Sequence, residues 1–104
     1  MIITTTEQIA GREISQMLGV VRGSTVRSRN AMRDLMAVFR NIVGGEIPEY
    51  TRLLSDSREQ ALQRMIEDAR RLGADAVVGV RFSTSAVMQG CAEILAYGTA
   101  VRLR

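Results

Sequence analysis

The clearest pattern in the chain predicts an amphipathic helix over residues 48–72. Apolar side chains recur there at helical spacing, and charged side chains occupy the opposite face. Arg70 and Arg71 suit the negative end of the helix dipole, and Gly73 is placed to end the helix. The predicted core stripe contains Leu54, Ala61, Met65, Ala69 and Leu72, flanked by Leu53, Leu62 and Ile66.

Three extended segments accompany this helix. β-Branched residues with polar interruptions over 14–26 predict a long strand that bends near Gly19 or Gly23. Residues 75–84 and 91–103 predict two more strands, joined through a polar connection as an antiparallel hairpin. On the first of these, Ala76, Val78, Val80 and Phe82 are expected to share a face. On the second, a face of mostly small side chains, which a helix can approach closely, consists of Ala92, Ile94, Ala96, Gly98 and Ala100.

A second helix is predicted over 30–43, where apolar residues again recur at helical spacing, and Gly44 and Gly45 would end it. The 104 residues suit one domain with one modest core. We therefore expect a single α+β domain over 1–104, in which a small antiparallel sheet carries two helices on one face.

One sheet face is then left without cover. The last strand turns Leu95, Tyr97, Val101 and Leu103 away from the helices, and these side chains are too apolar to leave in water. Exposed apolar patches usually mark interfaces, so the pattern predicts a homo-oligomer. The alternative is that Tyr97 and Leu103 are scattered surface residues or are covered by the N-terminal arm.

The composition of the chain argues against several classes of function. Apolar residues make up 46% of the chain and charged residues 24%, as in ordinary globular domains. No stretch is long and apolar enough to span a bilayer. The first basic residue, Arg12, comes too late for a secretory signal, so a cytoplasmic protein is expected. A net charge of +3 is mild, which makes nucleic acid an improbable partner.

Several short motifs, spread nearly end to end, resemble those of the YbjQ-like family of small bacterial proteins, which carries a heavy-metal-binding label. They are Thr-Thr-Thr at 4–6, Gly-Val-Val-Arg-Gly at 19–23, Gly44-Gly45 with Tyr50, Leu-Gly-Ala-Asp-Ala-Val-Val-Gly at 72–79, and Ala-Tyr-Gly-Thr-Ala-Val at 96–101. The resemblance implies a subunit similar to that of dodecin, β-α-β-β in order, assembled into a pentameric ring. The resemblance implies no particular reaction.

The metal label has little support in the residues. The chain has one cysteine and no histidine, so it lacks an internal disulfide and the commonest metal ligand. Soft metals favour thiolates, which leaves Cys91 as the candidate ligand, with Met88 as a weak thioether partner. A ring could bring several copies of Cys91 together. The simpler interpretation is a small residue packed in the core.

Two other clusters are candidate sites. Arg27, Arg29 and Arg33, with Arg22 nearby, could bind an anion or form an interface, although a solvated face or intersubunit ion pairs also explain them. Glu93 is a charge inside a strand, which a salt bridge to Arg81 or Arg102 would explain.

No catalytic residue can be assigned, because no nucleophile has a visible base. We expect a non-enzymatic oligomeric binding or scaffold protein that holds a small ligand, an anion or a soft metal between subunits. The alternative is an enzyme with an intersubunit site built from Glu93, Arg81 and Tyr97.

Overall fold

A mixed four-stranded sheet with one long helix on one face forms the described part of the chain. The computed structural model describes residues 1–27, 48–88 and 91–104. In chain order the elements are β1 (Ile2–Ile3), β2 (Ile14–Arg27), α1 (Pro48–Arg71), β3 (Ala76–Met88) and β4 (Cys91–Leu103). The strands are arranged in the order β1-β3-β4-β2. The long strand, the long helix and the hairpin predicted from the sequence are all present.

The expectation of a purely antiparallel sheet is wrong, because the short apolar start of the chain forms a strand. Ile2 and Ile3 of β1 pair in parallel with Ala76 and Val77 of β3, whereas β3, β4 and β2 are antiparallel. Two residues are too few to show an alternating pattern, so nothing local in the sequence indicated this strand.

Helix α1 packs on the sheet through a stripe that differs from the predicted one at both ends. Ala61, Met65 and Ala69 are fully buried, as expected. Ser57, one turn before Ala61, is also buried, because its backbone carbonyl and hydroxyl bond to β2. Leu72 is exposed, since the helix ends at Arg71 and the chain turns away. A polar side chain therefore occupies a core position that hydrophobicity alone does not reveal.

The C-terminus of α1 is closed by a Schellman motif. The N–H of Ala74 donates to the carbonyl of Ala69, and the N–H of Gly73 donates to that of Arg70. Gly73 has a φ of 76°, in the left-handed region where glycine is favoured. The predicted helix stop at Gly73 is thus confirmed.

Replacing Gly73 with alanine should lower the free energy of unfolding by about 1 kcal/mol, because alanine is strained at this φ. A new Cβ would also lie 2.8 Å from Nη2 of Arg102, whose flexible side chain can move. Urea denaturation measures the loss. Gly73→Asn is the control and should lose less than Gly73→Ala, since asparagine tolerates the left-handed conformation. Equal stability of the alanine variant and the parent would contradict the assignment of this cap.

The small side chains of β4 have the predicted role. Ala96, Gly98 and Ala100 are buried beneath α1. On the neighbouring strand, Gly23 pairs with Ala96, and a Cβ on Gly23 would come closer than 3.0 Å to backbone atoms of Ala61 and Met65. The helix therefore lies almost directly on the backbone of β2.

Four register shifts interrupt the described sheet, and two of them bear on the faces predicted from the sequence. The β2–β4 register shifts between Met17 and Gly19, where Gly19 has a φ of 124°, in agreement with the bend predicted there. The β3–β4 register shifts between Val78 and Arg81, around Gly79 with a φ of 62°.

The second irregularity overturns the expectation that four alternate residues of β3 share a face. Ala76 and Val78 lie in the cluster on the face opposite the helix, whereas Val80 belongs to the core beneath the helix. Phe82 pairs with Ala96 and so also lies on the helix side. Strict alternation fails because the bulge inserts one extra residue into β3.

The helix predicted over 30–43, together with Gly44 and Gly45, lies outside the described residues. Within the described parts of the chain, no helix is long and apolar enough to cross a membrane.

Candidate functional site

The sheet face opposite α1, here called the outer face, is partly covered by the chain's own N-terminal segment. Ala76, Val78 and Val101 are buried there against Ile9, Ile14 and Leu103. Of the two residues in the alternative raised from the sequence, Leu103 is packed in this cluster with Ile9, whereas Tyr97 is exposed.

The remainder of the outer face is exposed and largely apolar. Register places the following residues on it, with their exposed fractions: Met17 (75%), Val20 (66%), Val26 (54%) and Tyr97 (38%). Leu95 is half-buried beside them. The surplus face predicted from the sequence is thus present but shorter than expected.

A row of three polar side chains crosses this exposed region. Tyr97 on β4 pairs with Arg22 on β2 and with Arg81 on β3, so the three residues project from the same face. All three side chains are exposed. A tyrosine between two arginines combines an aromatic ring, a hydroxyl and two fixed positive charges, which is a set of groups suited to an anion.

Arg81 also holds the N-terminal segment on β3. Its Nη1 donates to the carbonyl oxygens of Thr5 at 2.9 Å and Val80 at 2.8 Å. A groove of about 410 Å³ opens beside it on the outer face. The groove is lined by Glu7, Ile14, Met17, Val78, Gly79, Arg81, Thr99 and Val101. Arg81 therefore has two roles. It bonds to the backbone of the N-terminal segment, and it lines the open groove.

The Thr-Thr-Thr motif is the anchor itself. Thr4 and Thr6 exchange a hydroxyl hydrogen bond at 2.8 Å, and the hydroxyl of Thr6 donates to the carbonyl of Gln8 at 2.6 Å. Their carbonyls accept hydrogen bonds from the N–H groups of Val80 and Gly79, respectively. The motif therefore fixes the conformation of the N-terminal segment, which covers part of the outer face.

Glu93 lies apart from the other two members of the predicted polar site. It shares the strand and the face of Tyr97, but four residues earlier, which corresponds to about 13 Å along a strand. Its cross-strand partners are Ser85 and Val26. Arg102 is nine residues farther along the same strand, too distant for the ion pair considered from the sequence. One chain therefore brings Arg81 and Tyr97 together without Glu93.

Cys91 and Met88 occupy facing register positions at the end of the hairpin. A metal site at Cys91 with Met88 stays a prediction. In the described ranges, no group of three or more His, Cys, Asp or Glu residues is placed to hold a metal ion.

The predicted arginine cluster is described only at its start. Arg29 and Arg33 lie outside the described residues. Arg27 is on the helix side of the sheet, where its Nε donates to the hydroxyl of Ser57 at 2.7 Å. The hydroxyl of Thr25 donates to the carbonyl of Ser57 at 3.0 Å. Arg27 therefore fastens β2 to α1, while Arg22 points to the opposite face.

Sequence reasoning placed Arg22 with Arg27 and missed its position beside Tyr97. The parity of the two residues on β2 was a usable signal, since positions 22 and 27 fall on opposite faces of one strand. The partner of Arg22 was not readable, because the bulge at Gly19 sets the register.

These features define a small α+β protein with a mixed sheet, one helix on one face and a partly exposed opposite face. The chain belongs to the YbjQ family, whose model, described as "putative heavy-metal-binding", matches residues 1–104. The family resemblance noted in the sequence is thereby confirmed.

Relatives and a solved structure agree with this assignment. A UPF0145 protein of Archaeoglobus fulgidus is 61% identical over 104 residues, covering 100% of this chain and 96% of the relative. A UPF0145 protein of Thermus thermophilus is 58% identical over 103 residues, covering 99% and 90%. A crystal structure of a DUF74-family protein of unknown function from Pediococcus pentosaceus superposes with a TM-score of 0.65 at 19% identity, covering 100% and 98%. That likeness supports the fold alone.

The residues of a single chain do not fit the heavy metal in the family description. Cys91 is the one thiol, and the chain has no histidine. Soft metals bound by proteins commonly have several thiolate, imidazole or thioether ligands. A single subunit supplies one thiolate and no imidazole.

Proposed function

We propose that this chain forms a homo-oligomeric, non-enzymatic binding or scaffold protein of the cytoplasm, assembled as a pentameric ring. A ligand would be held between subunits. In this ring each subunit would add the helix predicted over 30–43 to the same sheet face as α1.

The observation that carries the proposal is the exposed part of the outer face. Met17, Val20 and Val26 project from one strand with half or more of their surface in water. Tyr97 lies next to them on β4. Side chains of this kind grouped on one face are typical of protein interfaces.

The shape of the subunit also supports assembly. Its radius of gyration is 16.9 Å, whereas a compact domain of this length has about 13 Å. Its extents of 54, 27 and 16 Å describe a long, thin body. An elongated subunit leaves much of its surface uncovered until neighbours bury it.

An anion is the ligand class with the best support. Arg22 and Arg81 flank Tyr97 on the outer face, and five copies around a ring would repeat this positive row. A soft metal would instead require copies of Cys91 from several subunits to meet. The metal site would therefore form only on assembly, whereas the positive row is present in each subunit.

The alternative function is an enzyme with an intersubunit site. Arg81 and Tyr97 are cross-strand neighbours, and Glu93 of the same chain is about 13 Å from them along the strand. An adjacent copy would therefore have to supply the carboxylate. Under this alternative Glu93→Gln preserves assembly and ends activity, whereas in a scaffold it changes neither.

Native mass spectrometry of the protein purified from its own host tests the proposal. We expect an oligomer because the exposed part of the outer face would be covered on assembly, and five subunits per particle because the family resemblance implies a pentamer. Extra mass on the particle would identify the ligand class, and a metal ion should disappear in Cys91→Ser. A stable monomer would overturn the proposal, and metal retained by Cys91→Ser would exclude cysteine ligation.

A further inference from the structure

The groove beside Arg81 on the outer face has the make-up of a small-molecule site. Its volume of about 410 Å³ falls within the roughly 300–1,000 Å³ of ligand pockets, which are mostly apolar with a few polar groups. Side chains of β2, β3 and β4 supply the apolar lining. Three polar side chains complete it, namely Glu7, Arg81 and Thr99. The groove therefore combines an apolar surface with one acidic, one basic and one hydroxyl group.

Hydrogen bonds hold the acidic and the basic member of the groove in place. Glu7 lies between Thr6 and Gln8, which are joined by a hydroxyl–carbonyl hydrogen bond of 2.6 Å. The carbonyl of Thr6 also accepts from the N–H of Gly79 on β3 at 2.8 Å. Arg81 is held by the two backbone carbonyls to which its Nη1 donates. The Thr-Thr-Thr motif therefore fixes the backbone around an acidic group that lines the groove.

The two opposite charges of the groove do not neutralise each other. In the described part of the chain, the ion pairs with N–O distances up to 4.0 Å lie elsewhere, on α1 and at the C-terminus. Glu7 and Arg81 line the same groove but are farther apart than that. The guanidinium of Arg81 has further N–H donors on Nε and Nη2. A ligand that carries both a negative and a positive group complements this arrangement.

The lengths of the connections outside the described ranges argue that the groove is open to a separate molecule. Residues 89–90 join β3 to β4 at the end of the sheet where Arg27 lies, and residues 28–47 connect Arg27 to α1. Met17, which lines the groove, is ten positions from Arg27 along β2, or about 33 Å. Twenty residues would have to run almost fully extended to reach Met17 and return. The helix predicted over 30–43 would make the connection too short for that.

We propose that this groove binds a small zwitterion with an aliphatic body, such as a free aliphatic amino acid. The inference rests on the proposed binding function and names a ligand class for it. The carboxylate of the ligand accepts hydrogen bonds from the guanidinium of Arg81, and its ammonium group donates to the carboxylate of Glu7. Its aliphatic part packs against Ile14 and Met17, of which Met17 is 75% exposed, and removes apolar surface from water.

Calorimetric titration of the full chain with three matched compounds tests the ligand class. L-Leucine carries both charges, 4-methylpentanoate lacks the ammonium group, and 3-methylbutylamine lacks the carboxylate. We expect saturable binding of L-leucine and dissociation constants about tenfold higher or more for the other two compounds, because each leaves one charged group of the groove without a partner. Equal affinity for L-leucine and 4-methylpentanoate would mean that the groove recognises only an anion, which contradicts the proposal.

Glu7→Gln tests the contact with the ammonium group, and Glu13→Gln is its matched control. Both variants make the same change in charge near the N-terminus, but Glu13 does not line this groove and forms an ion pair with Arg104. We expect Glu7→Gln to raise the dissociation constant of L-leucine about tenfold or more and not to weaken the binding of 4-methylpentanoate. Glu13→Gln should change neither. Glu7 is exposed, so its substitution should leave the fold intact.

The outcomes distinguish this inference from the proposed assembly. An oligomer that shows no saturable binding of L-leucine overturns the ligand class and leaves the assembly standing. A monomer that binds L-leucine with the expected preference overturns the assembly and leaves the groove standing. If Glu13→Gln weakens the binding of L-leucine as much as Glu7→Gln does, the net charge of the chain governs binding and the assignment to this groove is wrong.

Discussion

Replacing Gly23 with alanine is expected to cost about 3 kcal/mol of unfolding free energy, at the upper end of the usual overpacking penalty. The added Cβ would come closer than 3.0 Å to backbone atoms of Ala61, Arg64 and Met65 on α1. A flexible side chain could move aside, but a helix backbone can move only as a unit. That shift would disturb the burial of Met65 and loosen the whole helix–sheet contact.

Urea or thermal denaturation of Gly23→Ala measures this loss, and Gly11→Ala is the matched control. Gly11 has a φ of 77°, and a Cβ added to it would have nothing within 4 Å, so only backbone strain of about 1 kcal/mol is expected there. Gly23 is not among the glycines with positive φ, so its effect is steric. A Gly23→Ala variant as stable as the parent would mean that α1 does not lie this close to β2.

If the proposed oligomer forms through the outer face, replacing Val20 with arginine is expected to dissociate it into folded monomers. Val20 is 66% exposed in the subunit, so a surface substitution there should change monomer stability by less than about 0.5 kcal/mol. Buried in an interface, the unpaired charge should raise the dissociation constant roughly 100-fold or more. Sedimentation or native mass spectrometry over a dilution series measures the change.

Gln63→Arg is the control for Val20→Arg. It makes the same change in charge on the exposed side of α1, away from the outer face, and should leave assembly unchanged. If Val20→Arg assembles like the parent, the exposed apolar face is not the interface.

The elements of the fold were predictable where the sequence is long and periodic. Helix α1 begins at Pro48 and ends one residue before the predicted position. The small side chains of β4 correctly predicted a close helix contact. Periodicity over twelve or more residues averages out single exceptions such as Ser57, so these elements could be read without knowing their neighbours.

The candidate sites were less predictable, because they depend on register. Arg81 and Tyr97 were grouped correctly, but Glu93 was grouped with them although it lies four positions away along β4. Arg22 was assigned to the arginine cluster and instead lies beside Tyr97. The distance from Glu93 to Tyr97 was readable from the sequence, whereas bulges at Gly19 and Gly79 decide how Tyr97 pairs with Arg22 and Arg81. A glycine in a sequence does not reveal whether it shifts the register.

The pattern of residues along the chain was enough to predict the α+β class, the amphipathic helix, its stop at Gly73 and the family. These properties follow from local composition and spacing. Contacts between distant parts of the chain bring β1 into the sheet in parallel, place the N-terminal segment over part of the outer face, and bond side chains of α1 to the backbone of β2. Each of these features depends on contacts between residues distant in the chain. Local sequence patterns do not reveal which distant residues meet or how strongly they interact.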